Sequence, residues 1–198
     1  MQPLPTSRWV GPAGMVFLFW LLNATLYPLL LPLSDGFAEP FHYAYAQHIA
    51  TEGRWPVLGQ TPISKEIGLS LRLAPASYVI RHNLPYVMTF GEFHALPAAA
   101  RQARREDIKT IDPGWRTLPD PNSLNYEAQQ PPLAYLLPAA IDYGAARLPL
   151  VRRVLLARLA VSLAGGALQF WLTLLLASEL GLSLAWQPYV LFLVTSSQ

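Results

Sequence analysis

Ionisable side chains gather in a short stretch near the start of the chain. Asp35, Glu39 and His42 lie there, and Glu39 and His42 are spaced to share one face of a helix. Carboxylates and imidazole rings are the groups that proteins use most often to move protons. The cluster indicates a site for acid–base chemistry. The alternative is that Asp35 caps a turn and His42 is an interfacial aromatic residue.

A second polar group stands just before an apolar run, in "NYEAQQPPLAYLL", residues 125–137. Glu127, Gln129 and Gln130 precede a proline pair that can start a helix, since proline is well tolerated in a first turn. Polar groups at a helix start beside a membrane can hydrogen-bond the hydroxyl groups of a ligand. Ordinary capping of the helix is the alternative.

Two apolar runs are predicted to hold these groups at a membrane. Residues 10–33 carry no charge, and neither does the second run, Leu159 to Ser178. A helix needs about 20 residues to cross the hydrocarbon core. We predict transmembrane helices at 10–33 and 154–180. A cleaved signal peptide is the alternative for the first, but it lacks a small-residue cleavage site.

The ends of the chain complete this topology. We expect residues 1–9 to lie in the cytoplasm and residues 34–153 to form an extracytoplasmic loop. Residues 186–198 are apolar but too short to span, so they predict the start of a third helix in a longer protein. The chain is predicted to be a multi-pass protein of the cell membrane. In a bacterium, this would be the inner membrane.

Composition supports a membrane class and excludes several others. The chain has 198 residues, of which 53% are hydrophobic and 13% charged, whereas about 25% are charged in soluble domains. A net charge of +2 without an aromatic-basic stripe predicts no nucleic-acid partner. The absence of cysteine excludes disulfides and thiolate sites. We identify no metal-ligand spacing and predict no metal or other cofactor.

The loop is expected to contain short interfacial amphipathic helices, which makes the predicted fold an all-α integral membrane protein. One begins near Pro40 and ends at Gly53, a residue typical of helix ends. A second, polar helix is predicted from Pro97 to about Asp107.

Two segments carry a resemblance to a known family. "AEPFHYAYAQHIATEGRWP", residues 38–56, is similar to the "DEPxHyxyA" helix of the GT-C membrane glycosyltransferases. "YEAQQPPLAYLL", residues 126–137, is similar to that family's "YEAxQPPLYYLL". The chain resembles the N-terminal part of these enzymes, which include the dolichyl-phosphate-mannose protein mannosyltransferases and the aminoarabinose transferases.

The resemblance implies a reaction and its partners. Such enzymes transfer a sugar from a polyprenyl-phosphate carrier to a glycan, lipid or protein acceptor outside the membrane. A carboxylate would accept the proton of the acceptor hydroxyl, and cations would stabilise the leaving phosphate.

The resemblance also implies roles for particular residues. Asp35 and Glu39 are the candidate catalytic carboxylates. The candidate substrate-binding residues are His42, Tyr45, Glu127, Gln129, Gln130 and Arg158. Arg158 is the first candidate for the carrier's phosphate, with Arg152 and Arg153 second; anchoring of these arginines at the lipid headgroups is the alternative.

The chain departs from the family pattern at one position. The family's catalytic aspartate aligns with Ala38, and the nearest aspartate is Asp35. Asp35 could supply the base, Glu39 could act alone, or activity could be lost. The competing interpretation is a polytopic membrane protein without catalysis, either a glycan-binding relative or a transporter.

Overall fold

The computed structural model describes residues 12–36 and 38–181, and this part of the chain is mostly helical. Its α-helices are α1 (Pro12–Leu30), α2 (Glu39–Glu52), α3 (Lys65–Leu73), α4 (Tyr78–Asn83), α5 (Phe90–Ala95), α6 (Ala98–Lys109), α7 (Leu136–Gly144) and α8 (Leu150–Glu179). Its strands are β1 (Pro62–Ser64), β2 (Pro75–Ala76), β3 (Met88–Thr89) and β4 (Pro119–Leu124). The predicted segments 1–9 and 186–198 lie outside the described residues.

The described residues form two compact units, one within 1–30 and 161–198 and the other within Leu31–Ala160. In the described residues, one helix is long and apolar enough to cross a membrane, namely α8. Only 11% of its apolar window is buried, whereas the core helix of a soluble protein would be mostly covered. α1 lies inside the first predicted span and is apolar, but its described part is shorter.

Within the first unit, α1 packs closely against α8 at Gly166. Val16, Trp20 and Ala24 recur at intervals of four residues and form the buried stripe of α1. A side chain at Gly166 would overlap the indole of Trp20. Small residues allow close packing of membrane helices, and such packing is found at Gly166, whereas Gly165 has open space where a side chain would be.

In the second unit, α2 is a core helix, which corrects the expectation of an interfacial amphipathic helix. Half of its residues are buried, and they face more than one direction. Phe41, Tyr43 and Ala44 join one apolar cluster, and Tyr45 and Ala46 join another. Other elements cover α2 on both sides, and the sequence of a single helix does not reveal its neighbours. The first cluster also contains residues from α3, α4 and α8, including Ile67, Leu71, Ile80, Leu150 and Val154.

Two short ladders correct the all-α prediction. β1 and β4 are antiparallel, with Pro62 opposite Leu124 and Ser64 opposite Pro119, and β2 and β3 are parallel. The prolines in three of these strands lack an N–H group for the ladder, which keeps each ladder short.

Local signals correctly predicted two helices of this unit. α2 ends at Gly53, which has a positive φ of 65° and donates its N–H to the carbonyl of Ile49. The helix predicted from Pro97 to about Asp107 is α6, and Pro97 is its N-cap residue.

Candidate functional site

The backbone turns sharply where α2 begins. Ala38, the N-cap residue, has φ 57° and ψ 11°, and its side chain is fully buried. A left-handed conformation costs an L-residue other than glycine about 1–2 kcal/mol, and Asn and Asp adopt it more readily than Ala. Alanine therefore occupies a position whose geometry suits the aspartate expected from the resemblance.

Glu39 begins α2, and its carboxylate is bound by Arg158. The guanidinium holds both carboxylate oxygens, with Nη2 donating to Oε2 at 2.6 Å. Arg158 also donates to the carbonyl oxygens of Leu31 and Pro32, each at 2.8 Å. The backbone N–H of Ser34 donates to Glu39 Oε2 at 3.0 Å. The two side chains are mostly buried, at 16% and 18% exposure. This geometry makes the pair an anchor for the turn that leads into α2.

Asp35 lies in that turn. Its backbone N–H donates to the carbonyl of Pro32 at 3.4 Å, and the residue is half-buried. Its carboxylate makes no hydrogen bond or ion pair with the described part of the chain. Of the two predicted catalytic carboxylates, Glu39 is occupied and Asp35 is available.

His42 and Tyr45 face the segment that contains Glu127. His42 Nδ1 lies 2.8 Å from the Tyr135 hydroxyl and 3.8 Å from Glu127 Oε2. The rings of Tyr45 and Tyr135 stack with centroids 3.9 Å apart. We call these four residues the His42 cluster. Residues that are distant in sequence thus meet on one side of α2.

The His42 cluster is closed on its inner side and open on its outer side. Glu127 is buried, and its Oε2 has no hydrogen-bond partner in the described residues. The side chain of His42 is 42% exposed. Burial, followed by the nearby charge of Glu127, raises the pKa of Tyr135 to about 12, and burial raises the pKa of Tyr45. Both phenols remain protonated at neutral pH and can donate hydrogen bonds.

Gln129 and Gln130 extend this side of the molecule into solvent. Both are exposed, and the carbonyl of Gln130 accepts a hydrogen bond from the Tyr45 hydroxyl at 3.2 Å. Asn125 caps the turn Tyr126–Gln129, since its side chain accepts from the N–H of Glu127 at 3.0 Å. The described turn Pro132–Tyr135 and α7 have no side-chain cap, so the two glutamines do not cap the helix that follows the prolines.

The opposite side of α2 holds a buried network of charges that the sequence analysis missed. Arg153 is completely buried and forms ion pairs with Glu66 and Asp142. Asp142 is also paired with Arg116 and accepts from the Tyr43 hydroxyl. We call these five residues the Arg153 network. Since Arg153 has no exposed surface, the prediction that it is a second candidate for the carrier's phosphate is wrong; Arg152, next to it, is exposed.

Further hydrogen bonds hold Glu66 and Arg153 within the network, whereas the buried Arg116 Nε has no hydrogen-bond partner in the described residues. Gln47 donates to Glu66 Oε2 at 2.8 Å, and Arg153 Nε donates to the carbonyl of Leu148 at 3.0 Å. Burial raises the pKa of Glu66, and the adjacent Arg153 and Gln47 oppose that rise. The signal available in the sequence was a single charge within each of several apolar segments, such as Asp142 in "PAAIDYGAA".

Comparison with protein-family models, curated proteins and solved structures found no match.

Proposed function

We propose that this protein is a membrane glycosyltransferase that moves a sugar from a polyprenyl-phosphate carrier to an acceptor outside the membrane. One observation carries the proposal: the two segments that resemble the GT-C family are in direct contact through the His42 cluster. His42 and Tyr45 come from the first segment, and Glu127 and Tyr135 come from the second.

The reaction requires a base and a sugar-binding surface. The acceptor oxygen attacks the anomeric carbon, the bond from that carbon to the phosphate oxygen breaks, and the polyprenyl phosphate leaves. We propose that Asp35 is the base that accepts the acceptor's proton. Of the two predicted catalytic carboxylates, it is the one without a partner in the described residues. We assign Glu39 to positioning, because Arg158 holds both of its oxygens.

The His42 cluster and the two glutamines would bind the sugar or the acceptor. The exposed ring of His42 and the exposed amides of Gln129 and Gln130 offer both donors and acceptors to hydroxyl groups. With Arg158 engaged by Glu39, the exposed Arg152 is the better candidate for the carrier's phosphate.

The proposal is tested with membranes that contain the protein and a panel of radiolabelled polyprenyl-phosphate sugars. We expect consumption of at least one donor, and we expect Asp35→Asn to reduce the rate by about 10²–10⁴-fold, the usual contribution of a general base. Asp107→Asn is the matched control, since that carboxylate is exposed on α6. Equal rates for the wild type and Asp35→Asn, at equal membrane abundance, would contradict the assignment.

A second candidate function is glycan binding without transfer. It is favoured by the occupation of Glu39 by Arg158 and by alanine at position 38. This alternative predicts that the protein retains oligosaccharides on a glycan array, that His42→Phe weakens retention, and that no donor in the panel is consumed.

A further inference from the structure

A cavity of about 370 Å³ lies in the second unit, and its lining contains none of the residues assigned to sugar transfer. Apolar side chains form much of its wall, including Leu33, Phe90, Phe93 and Ile108. Its volume is typical of sites that hold a small molecule.

The wall also contains the residues through which this unit continues into the apolar helices. Pro32 and Leu33 follow shortly after α1, and Val151 is the second residue of α8. Because α8 is long and apolar enough to cross a membrane, we place its first turn, and the cavity with it, near the membrane surface.

Exposed basic side chains form part of the cavity lining, and we call this part the rim. Arg105, Lys109 and His94 contribute to the lining, and all three are exposed. The Arg105 guanidinium lies 5.8 Å from the centre of the Phe93 ring. Lys109 is paired with Glu106 at 2.9 Å, but both side chains are more than half exposed, so water screens the pair and a stronger anion can replace it.

The rim is held by contacts between α5 and α6. Arg101 donates to the carbonyl oxygens of His94 and Leu96, at 2.9 and 2.7 Å. The apolar wall and the basic rim therefore have a fixed relation to each other. An apolar slot with cations at its mouth complements a molecule that has a hydrocarbon chain and a phosphate.

We propose that this cavity binds an anionic phospholipid of the surrounding bilayer, with one acyl chain against Phe93 and Ile108 and the phosphate on Arg105 and Lys109. Arginine and lysine both bind phosphate, and basic residues near a membrane surface attract anionic lipids. The proposal is independent of sugar transfer: a protein that transfers no sugar would still bind the lipid here.

The test uses the full chain in phosphatidylcholine nanodiscs doped with phosphatidylglycerol that carries a photoactivatable group on its acyl chain. We expect cross-links in α5 and α6, and a yield several-fold above that of a phosphatidylcholine probe with the same chains. The double variant Arg105→Gln/Lys109→Gln should lower the phosphatidylglycerol yield by at least about fivefold. Arg54→Gln/Arg147→Gln, which removes two exposed cations elsewhere, should not.

A second pair of variants tests the apolar wall. Val151→Trp fills the cavity from α8 and should reduce cross-linking, whereas Val161→Trp, farther along the same helix, should not. Equal yields for the two lipid probes, or equal losses for the two charge variants, would overturn the proposal. Competition by millimolar inorganic phosphate would also overturn it, because it would indicate a small-anion site.

Discussion

The two sides of α2 present polar groups in opposite ways. On one side, Tyr43 belongs to the Arg153 network and Gln47 donates a hydrogen bond to its Glu66. Both carboxylates of this network are paired and buried. On the other side, Glu127 has an oxygen without a hydrogen-bond partner in the described residues, and His42 is partly exposed. A network whose carboxylates are all paired holds elements together, even though the buried Arg116 Nε has no hydrogen-bond partner in the described residues. An unpartnered carboxylate oxygen next to a partly exposed side chain is instead a candidate for ligand binding. The comparison supports a structural role for the first side and, for the second, the ligand binding that we propose.

The largest loss of stability is expected from a substitution in the Arg153 network. Arg153→Met leaves Glu66 and Asp142 buried near each other with one cation fewer, and removal of one partner from a buried pair costs about 3–5 kcal/mol. Thermal unfolding in detergent should show a marked loss of stability. Arg152→Met, at the exposed neighbouring position, should change little. A stable Arg153→Met protein would remove the basis for the comparison.

A smaller effect is expected at the anchor of α2. Glu39→Gln and Arg158→Met should each destabilise the protein, because the pair is mostly buried and also holds the N–H of Ser34 and two carbonyls. A double-mutant cycle should give a coupling energy of about 1–3 kcal/mol. A coupling near zero would mean that the pair does not anchor the turn.

On the open side of α2, Tyr135 should make the free energy of unfolding depend on pH above about pH 10. The pKa of Tyr135 is raised to about 12 from an ordinary value of 10.0. At pH values below the pKa of Tyr135 in the unfolded chain, the contribution of this phenol to the stability of the folded protein is fully present. Between the two values the unfolded phenol ionises first, so the free energy of unfolding falls as the pH rises. The slope for one such group is at most about 1.4 kcal/mol per pH unit.

Replacement of that phenol isolates its contribution. Tyr135→Phe should make the loss of stability between about pH 10 and about 12 shallower, as measured by chemical denaturation at each pH. Tyr78→Phe, an exposed control, should leave the slope unchanged. Equal slopes for Tyr135→Phe and the wild type would contradict the buried environment of Tyr135.

The smallest loss of stability is expected at Gly53, where α2 ends. Gly53 has a φ of 65° and open space where a side chain would be, so Gly53→Ala should cost about 1 kcal/mol through backbone strain alone. Gly91→Ala is the matched control: that site is equally open and lies within α5, where alanine is favoured. Thermal unfolding should show a lower midpoint temperature than the wild type for Gly53→Ala and not for Gly91→Ala.

Sequence reasoning succeeded where the signal is local. Pro40 and Gly53 bracket α2, and an uncharged run predicted α8. It failed where partners are distant: Glu66, Asp142 and Arg153 form one network across segments that periodicity cannot connect. Arg153 was interpreted as an anchor or a phosphate ligand because no local pattern reveals its complete burial. The ladders were missed because strands of two or three residues with prolines carry no alternation.

The central claim is that the open side of α2 binds the substrates of the proposed sugar transfer, and donor turnover by Glu127→Gln tests it most directly. We expect at least a tenfold lower rate of sugar transfer from a polyprenyl-phosphate donor at unchanged membrane abundance, because the amide replaces a carboxylate oxygen with an NH2 group and removes an acceptor that has no hydrogen-bond partner in the described residues. Glu92→Gln, at an exposed carboxylate, should retain the wild-type rate. Equal rates for the wild type and Glu127→Gln would contradict the account.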